Sequence, residues 1–322
     1  MWASLTFLLV CHFLLSHIAA QPQLPNVSPP HLTMKEHPPL PIRVLTHNIR
    51  YASSGVFQGE RPWQLRRVPI INLFHVETLY NPESFICLQE VLHGQLDDID
   101  AGLRMRGGTW AFIGVGRDDG KRAGEYSPIF YRPTVWELEK WETVWLSETP
   151  KVPSKGWDAA SIRIVTIGVF RHRQSRKGVL AMCTHLDDQG STSRRESAKL
   201  ILKKVDEYLT GECKDRISGV FLAGDFNSEV NQEAYQTLVG TTSPFVDTRE
   251  QVEHYFHYGN EITYTGFGDE EKPSRIDYIL VGPRNKGGTP WTMEAYGVLP
   301  NKFDDGLISS DHRLVVADGI LK

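Results

Sequence analysis

What most constrains this chain is a recurring unit: a short run of β-branched and aromatic residues that stops in a polar tripeptide. Runs at 43–46, 85–88, 110–113, 128–131, 162–167, 179–182, 219–222, 276–280 and 313–316 have this character and are bounded by turn residues. They are expected to be strands. Between them, helical patterns lie at about 62–80, 92–104, 194–209 and 231–239. The third opens with Ser193 and Glu196 in capping-box spacing and places Ala198, Ile201, Leu202 and Val205 on one face. Short strands interleaved with amphipathic helices call for stacked sheets covered by helices, an α/β architecture. A chain of 322 residues, 40% hydrophobic and 23% charged, has ample apolar surface for one large core, which excludes an obligate fibre and a wholly disordered chain.

Residues 1–20 carry no acid, lysine or arginine, are almost continuously apolar from Leu5 to Ile18, and end in Ala19-Ala20. This is the pattern of a secretory signal peptide cleaved near Ala20, so the protein is expected to be secreted. An uncleaved N-terminal anchor is the alternative, although the stretch is short for a bilayer span and His12, Ser16 and His17 interrupt it. No later segment is long and apolar enough to cross a membrane. Residues 21–41 are dense in proline, which favours extended chain, and form a linker to a domain at 42–322. Asn26-Val27-Ser28 is a glycosylation sequon in that linker. Beyond the signal, Cys87, Cys183 and Cys213 are odd in number and show no CxxC spacing. They give neither a disulfide framework nor a zinc site, and Cys87 and Cys183 fit small core positions.

Several run ends carry chemistry. The strand 85–88 continues into Gln89-Glu90, where a carboxylate can face a cleft and hold a hard cation through oxygen; Glu90 alone is also read as a solvated strand-end acid. Asn48 closes another strand and fits a turn equally well. In Gly224-Asp225-Phe226-Asn227, extended geometry sets Asp225 and Asn227 on one side, to orient a water and contact phosphate; the alternative is an Asx turn. Asp277 lies among apolar neighbours and needs a partner, for which His312 in Ser310-Asp311-His312 is the natural candidate. His185 ends the run at 179–182 in the same manner. Each of these has a bland reading, and their joint occurrence at the ends of separate apolar segments carries the inference.

In order, Thr46-His47-Asn48, Leu88-Gln89-Glu90, Thr184-His185-Leu186, Gly224-Asp225-Phe226-Asn227, Arg275-Ile276-Asp277 and Ser310-Asp311-His312 resemble the endonuclease/exonuclease/phosphatase superfamily over roughly 42–321. The resemblance implies a four-layer α/β sandwich, two mixed β-sheets packed face to face with helices on the outside. It implies Mg²⁺, with Mn²⁺ as a substitute, held by Glu90 with support from Asn48 and Asp311. Asp225 would orient or deprotonate the attacking water and Asn227 contact the phosphate. His185 and the Asp277–His312 pair would stabilise charge on the pentavalent transition state.

The segment 116–126 looks like a stretch typical of a secreted subgroup, and its Arg117, Lys121 and Arg122 are candidates to meet a substrate phosphate from a mobile loop. A solvated hairpin loop is the alternative, since Asp118, Asp119 and Glu125 lie beside the bases. The expected activity is metal-dependent hydrolysis of a phosphate ester, with nucleic-acid phosphodiesters, DNA or RNA, as the leading substrate and a sugar, inositol or lipid headgroup phosphate as the alternative. A non-catalytic phosphate-binding role is more remote. Net charge of -4 offers no broad basic face for long nucleic acid, though a local groove would suffice. Trp136, Trp141, Trp145, Trp157 and Trp291 are open to base stacking or to packing. No protein partner or oligomeric state follows from the sequence.

Overall fold

The computed structural model describes residues 39–105, 107–268 and 271–322, so the signal, the sequon and most of the linker lie outside the described residues. The first half of the domain runs β1 (Leu40–Asn48), α1 (Trp63–Thr78), β2 (Phe85–Gln89), α2 (His93–Arg104), β3 (Ala111–Ile113), β4 (Ile129–Tyr131) and β5 (Trp136–Trp145). It continues with β6 (Ile164–His172), β7 (Gly178–His185), α3 (Ser191–Thr210), β8 (Gly219–Asp225) and α4 (Glu233–Val239). The rest is β9 (Val246–Asp247), α5 (Thr248–Gln251), β10 (His257–Gly259), β11 (Asp277–Gly282), β12 (Trp291–Val298) and β13 (Val315–Leu321).

These strands make two mixed sheets, ordered β10-β12-β13-β1-β2-β4-β3 and β5-β6-β7-β8-β11-β9. Alternation along each strand divides the apolar residues between an inner and an outer core. Val44, Phe85 and Cys87 of the first sheet meet Ala181, Cys183, Phe221 and Ile279 of the second in one cluster. Their neighbours Leu45, Ile86 and Leu88 point outward onto Ile70, Phe74, Leu96 and Ile99 of α1 and α2. On the far side, Leu180, Met182, Val220 and Leu222 pack on Ala198, Ile201 and Val205 of α3. The result is the expected helix–sheet–sheet–helix sandwich. At its centre Phe85 packs at tilted and edge-on angles against Trp136, Phe170 and Phe221, with ring centroids 4.8, 5.1 and 5.2 Å apart. Cys87, Cys183 and Cys213 are buried free thiols.

Three local readings of the sequence are corrected. The Ser193–Glu196 capping box does not form: α3 starts at Ser191, and Asp158, from a distant loop, accepts the N–H groups of Thr192 at 3.1 Å and Ser193 at 2.6 Å. β1 already starts at Leu40, inside the proline-rich stretch, because β13 reaches Leu321 and supplies it a ladder. The strands β5 and β12 are absent from the sequence reading. Both are half exposed, so polar residues, glutamates and a lysine in β5 and Thr292 and Glu294 in β12, dilute the apolar signal that marks the buried strands.

Candidate active site

Strand ends build the site. In the first sheet β1 and β2 are parallel, with Asn48 beside Gln89, which sets Glu90 just past the end of β2. In the second sheet β7 and β8 are parallel with His185 beside Asp225, and antiparallel β11 lays Asp277 on the other side of Asp225. The close approach of β8 to β7 demands Gly224: its φ is +154°, and a Cβ there would lie 2.0 Å from the Thr184 carbonyl oxygen.

The two sheets meet at Asn48, whose Nδ2 donates to Glu90 Oε1 and to Asp225 Oδ2, both at 3.0 Å. Its Oδ1 accepts the Arg50 N–H at 3.0 Å, so the amide presents its hydrogens, not its oxygen, to the carboxylates. Asp225 Oδ2 also lies 3.4 Å from His185 Nε2 and 3.6 Å from His312 Nε2. His312 Nδ1 sits 2.9 Å from Asp277 Oδ2, with both side chains buried. Asn227 donates Nδ2 to His185 and to the Leu186 carbonyl, each at 3.0 Å, and its N–H caps Asp225 Oδ1 at 2.9 Å. In this arrangement Asn227 orients His185 and Asp225, with both amide hydrogens engaged. Glu90 and Asn227 hold φ of +60° and +45°, a region non-glycine residues seldom adopt and one that concentrates at functional sites.

Environment drives these groups apart in protonation. Burial, reinforced by the charge of Asp277, pushes Asp225 up to about 7. Burial opposes the His312 imidazolium, but Asp277 and Asp225 outweigh it and hold its pKa well above the usual histidine value. Burial and the positive charges of Arg163 and Arg117 hold His185 well below that value. One cationic imidazole, one neutral imidazole and a carboxylate poised near neutrality thus share one oxygen atom as their meeting point, the division of labour that acid–base chemistry uses.

The donor set fits a hard cation. Glu90 and Asp311 both line the cleft, and Asp311 is pushed up to about 6 by burial and by the charge of Glu90. Among the described residues its side chain accepts Ser310 Oγ, at 3.2 Å, while Glu90 accepts Asn48 Nδ2 at 3.0 Å and the Tyr51 N–H at 3.1 Å with Arg50 3.8 Å away. Two carboxylates that face one cleft, each raising the cost of the other's charge, suit a hard divalent cation. Asp225, Asp277 and His312 also offer ligand atoms within 4.8 Å of one another. There Asp277 and the His312 Nδ1 already satisfy each other, which favours an orienting pair over a cage.

A cleft of about 670 Å³ opens over this centre, lined by Glu90, His185, Asp225, Asn227, Asp311 and His312 among others. Asn48 and Asp277 stand behind that lining. Arg117 faces the cleft, ion-paired with Glu125 at 2.7 Å. Lys121 and Arg122 do not: Asp119 Oδ1 accepts the N–H groups of Lys121 at 2.7 Å and Ala123 at 2.9 Å, folding a turn that leaves both bases exposed away from it. None of the five tryptophans lines the cleft, and Trp136, Trp145 and Trp291 are buried packing residues.

Sequence reasoning missed Arg163, Glu125 and Arg66. Arg66 is fully buried and donates to the carbonyls of Ile49 at 2.7 Å, Ser309 at 2.9 Å and Arg50 at 3.1 Å, tying the β1 exit to the segment before β13. The signal for Arg163 was a single charge inside an apolar run, a position that requires a partner. That partner comes from the loop after β7, where Asp187 Oδ2 lies 3.3 Å from Nε and Asp188 Oδ1 2.7 Å from Nη2.

A double-sheet sandwich whose strand ends gather acids and imidazoles around one cleft is the architecture of a phosphoesterase. The chain belongs to the endonuclease/exonuclease/phosphatase family, whose model matches residues 45–312. Divalent-metal dependence is a property of that family. A family member from Bacteroides vulgatus is 32% identical, with a TM-score of 0.75 over 88% of this chain and 100% of that one. A mannosyl-6-phosphatase from Bacteroides thetaiotaomicron is 31% identical, with a TM-score of 0.74 over 86% and 99%. The human nocturnin catalytic domain, at 18% identity and a TM-score of 0.63 over 88% and 94%, shares the fold. Among curated proteins none matches the chain by sequence.

Proposed function

We propose that this protein is a Mg²⁺-dependent phosphomonoesterase acting on a small phosphorylated sugar. The observation that carries the phosphoryl chemistry is the convergence of Asn48, His185 and His312 on Asp225 Oδ2, at 3.0, 3.4 and 3.6 Å. Asp225 takes a proton from its bound water as the water oxygen adds to phosphorus, the P–O ester bond breaks, and the proton passes to the leaving oxygen, directly or through solvent, so that alcohol and inorganic phosphate leave and the carboxylate is restored. His312, kept charged by Asp277, donates to a phosphoryl oxygen as negative charge develops. Glu90 and Asp311 would hold the divalent cation, which when bound would supply further neutralisation of phosphoryl charge. Asn48 keeps the cation-binding and water-binding carboxylates at a fixed separation.

Charge selects the monoester over the nucleic-acid diester. Glu125 and Asp188 in the cleft lining already engage Arg117 and Arg163, and Glu229 adds a further acid, so these arginines offer no surplus positive charge to a second phosphate of a polyanion. A relative 31% identical over most of both chains is a mannosyl-6-phosphatase. The test is hydrolysis of hexose 6-phosphates, 4-nitrophenyl phosphate, bis(4-nitrophenyl) phosphate, single-stranded DNA and RNA, with Mg²⁺ and with chelator. Preference for monoesters, lost with chelator, is the expected result. Exclusive diester cleavage returns the reading to a nuclease, and inertness on every substrate removes catalysis. The secretory signal is likewise a proposal, checked by N-terminal sequencing of the protein made in a secreting host.

A further inference from the structure

One wall of the cleft is built from paired charges. Arg117 pairs with Glu125 at 2.7 Å; Arg163 pairs with Asp187 at 3.3 Å and Asp188 at 2.7 Å. The arginine side chains are only 14% and 5% exposed, and Arg117 is fixed further by Trp145 Nε1, which donates to its carbonyl at 2.7 Å. Asp187 is locked by the N–H groups of Ala160 and Ser161 at 3.0 Å and of Gly190 at 2.8 Å. Side chains buried and braced to this degree are preorganised before any ligand arrives.

The wall is nonetheless incomplete. Arg117 Nε and Arg163 Nη1 are buried atoms with no hydrogen-bond partner among the described residues, Asp118 Oδ1 lying 3.9 Å from the former, and both side chains line the cleft. A buried guanidinium N–H without an acceptor is costly, so each of these arginines keeps donor capacity that the wall's own carboxylates do not use. The wall also lies next to the phosphoryl centre, since the charges of Arg163 and Arg117 both act on His185.

What fits is decided by charge and direction. Two guanidiniums against three carboxylates leave no positive charge for a second phosphate or a carboxylate. They do leave alternating fixed donors and acceptors, which is the complement of neighbouring hydroxyl groups. Elsewhere the same cleft carries Phe57, 54% exposed, an apolar surface for the C–H face of a ring. A cleft of about 670 Å³ is in the range of small-molecule sites.

We propose that Arg117, Glu125, Arg163 and Asp188 form a specificity wall that reads the ring hydroxyls of a phosphorylated pyranose. The wall discriminates such a sugar from acyclic polyol phosphates and from aryl phosphates. This inference rests on the monoester reading above.

The test uses the full-length protein with Mg²⁺ and compares a hexose 6-phosphate, glycerol 3-phosphate and 4-nitrophenyl phosphate in the wild type, Arg163→Lys and Glu125→Gln. Lysine keeps the charge without the planar fork, and glutamine keeps the shape without the charge. The ratio of kcat/KM for the hexose phosphate to that for 4-nitrophenyl phosphate is expected to fall about tenfold to a hundredfold in each variant, chiefly through KM. Should Arg163→Lys unfold, the isosteric Glu125→Gln carries the comparison. A ratio that stays within about twofold in the folded variants overturns the proposal, as does a wild type that cleaves glycerol 3-phosphate as well as the hexose phosphate. Monoesterase activity with no sugar preference thus defeats the wall alone, whereas activity confined to diesters defeats the monoester reading itself.

Discussion

Replacing Asp277 with asparagine removes one charge while keeping the shape of the side chain and an acceptor for His312 Nδ1, 2.9 Å away. At that separation and an effective dielectric constant near 20, the attraction between carboxylate and imidazolium is about 6 kcal/mol. Asp225, 3.6 Å from Nε2, continues to hold part of the positive charge, so the net loss is about half, roughly 3 kcal/mol. If that charge neutralises the phosphoryl oxygens only as the transition state forms, kcat falls on the order of a hundredfold while KM changes little. Initial rates on a saturating phosphomonoester measure the effect, and circular dichroism confirms that the variant is folded. A folded Asp277→Asn enzyme with kcat within threefold of the wild type would show that the imidazolium is not part of the chemistry.

Other expectations follow from the same geometry. Glu90→Ala should cost at least about a hundredfold in activity and weaken Mg²⁺ binding in calorimetric titration; intact affinity would move the cation elsewhere. Asp187 has no exposed side-chain surface, and although burial raises its pKa, the N–H groups of Ala160, Gly190 and Ser161, with Arg163, bring it from 3.8 to about 2. That depression contributes roughly 2 kcal/mol of stability, present above about pH 4 and lost as pH falls through about 2. The urea-measured advantage of wild type over Asp187→Asn should shrink by that amount across the window, and a constant gap contradicts it. Phe85→Ala, at the centre of the aromatic cluster, should cost about 3–5 kcal/mol in the same assay, and a cost under 1 kcal/mol would mean that the inner core repacks.

The parts of this fold that sequence pattern reveals are those whose physics is local. Parallel strands β7 and β8 are buried on both faces and read as unbroken apolar runs, so their ends, with His185 and Asp225, are visible without coordinates. The edge strand β5 writes WELEKWETVW, in which a solvated face hides the alternation, and it carries a register shift between Leu138 and Lys140. The cap of α3 was misread because Ser193 and Glu196 satisfy a local rule that a distant Asp158 overrides. Within the site, residues that end strands were legible, while Arg163 and Glu125 were not. Their importance comes from pairing across 24 residues and 8 residues of chain, respectively, with Asp187 and Arg117. Arg117, Lys121 and Arg122 looked equivalent on paper; only the turn around Asp119 separates the one that faces the cleft from the two that face water.

The central claim is that strand ends from two sheets make one cation-dependent phosphoryl centre, and a crystal of the protein soaked in Mn²⁺ and inorganic phosphate tests it most directly. Anomalous density for Mn²⁺ is expected against the carboxylates of Glu90 and Asp311, with the phosphate within hydrogen-bonding distance of His312 and His185. Mn²⁺ bound away from Glu90, or a phosphate seated outside the cleft, would contradict the account.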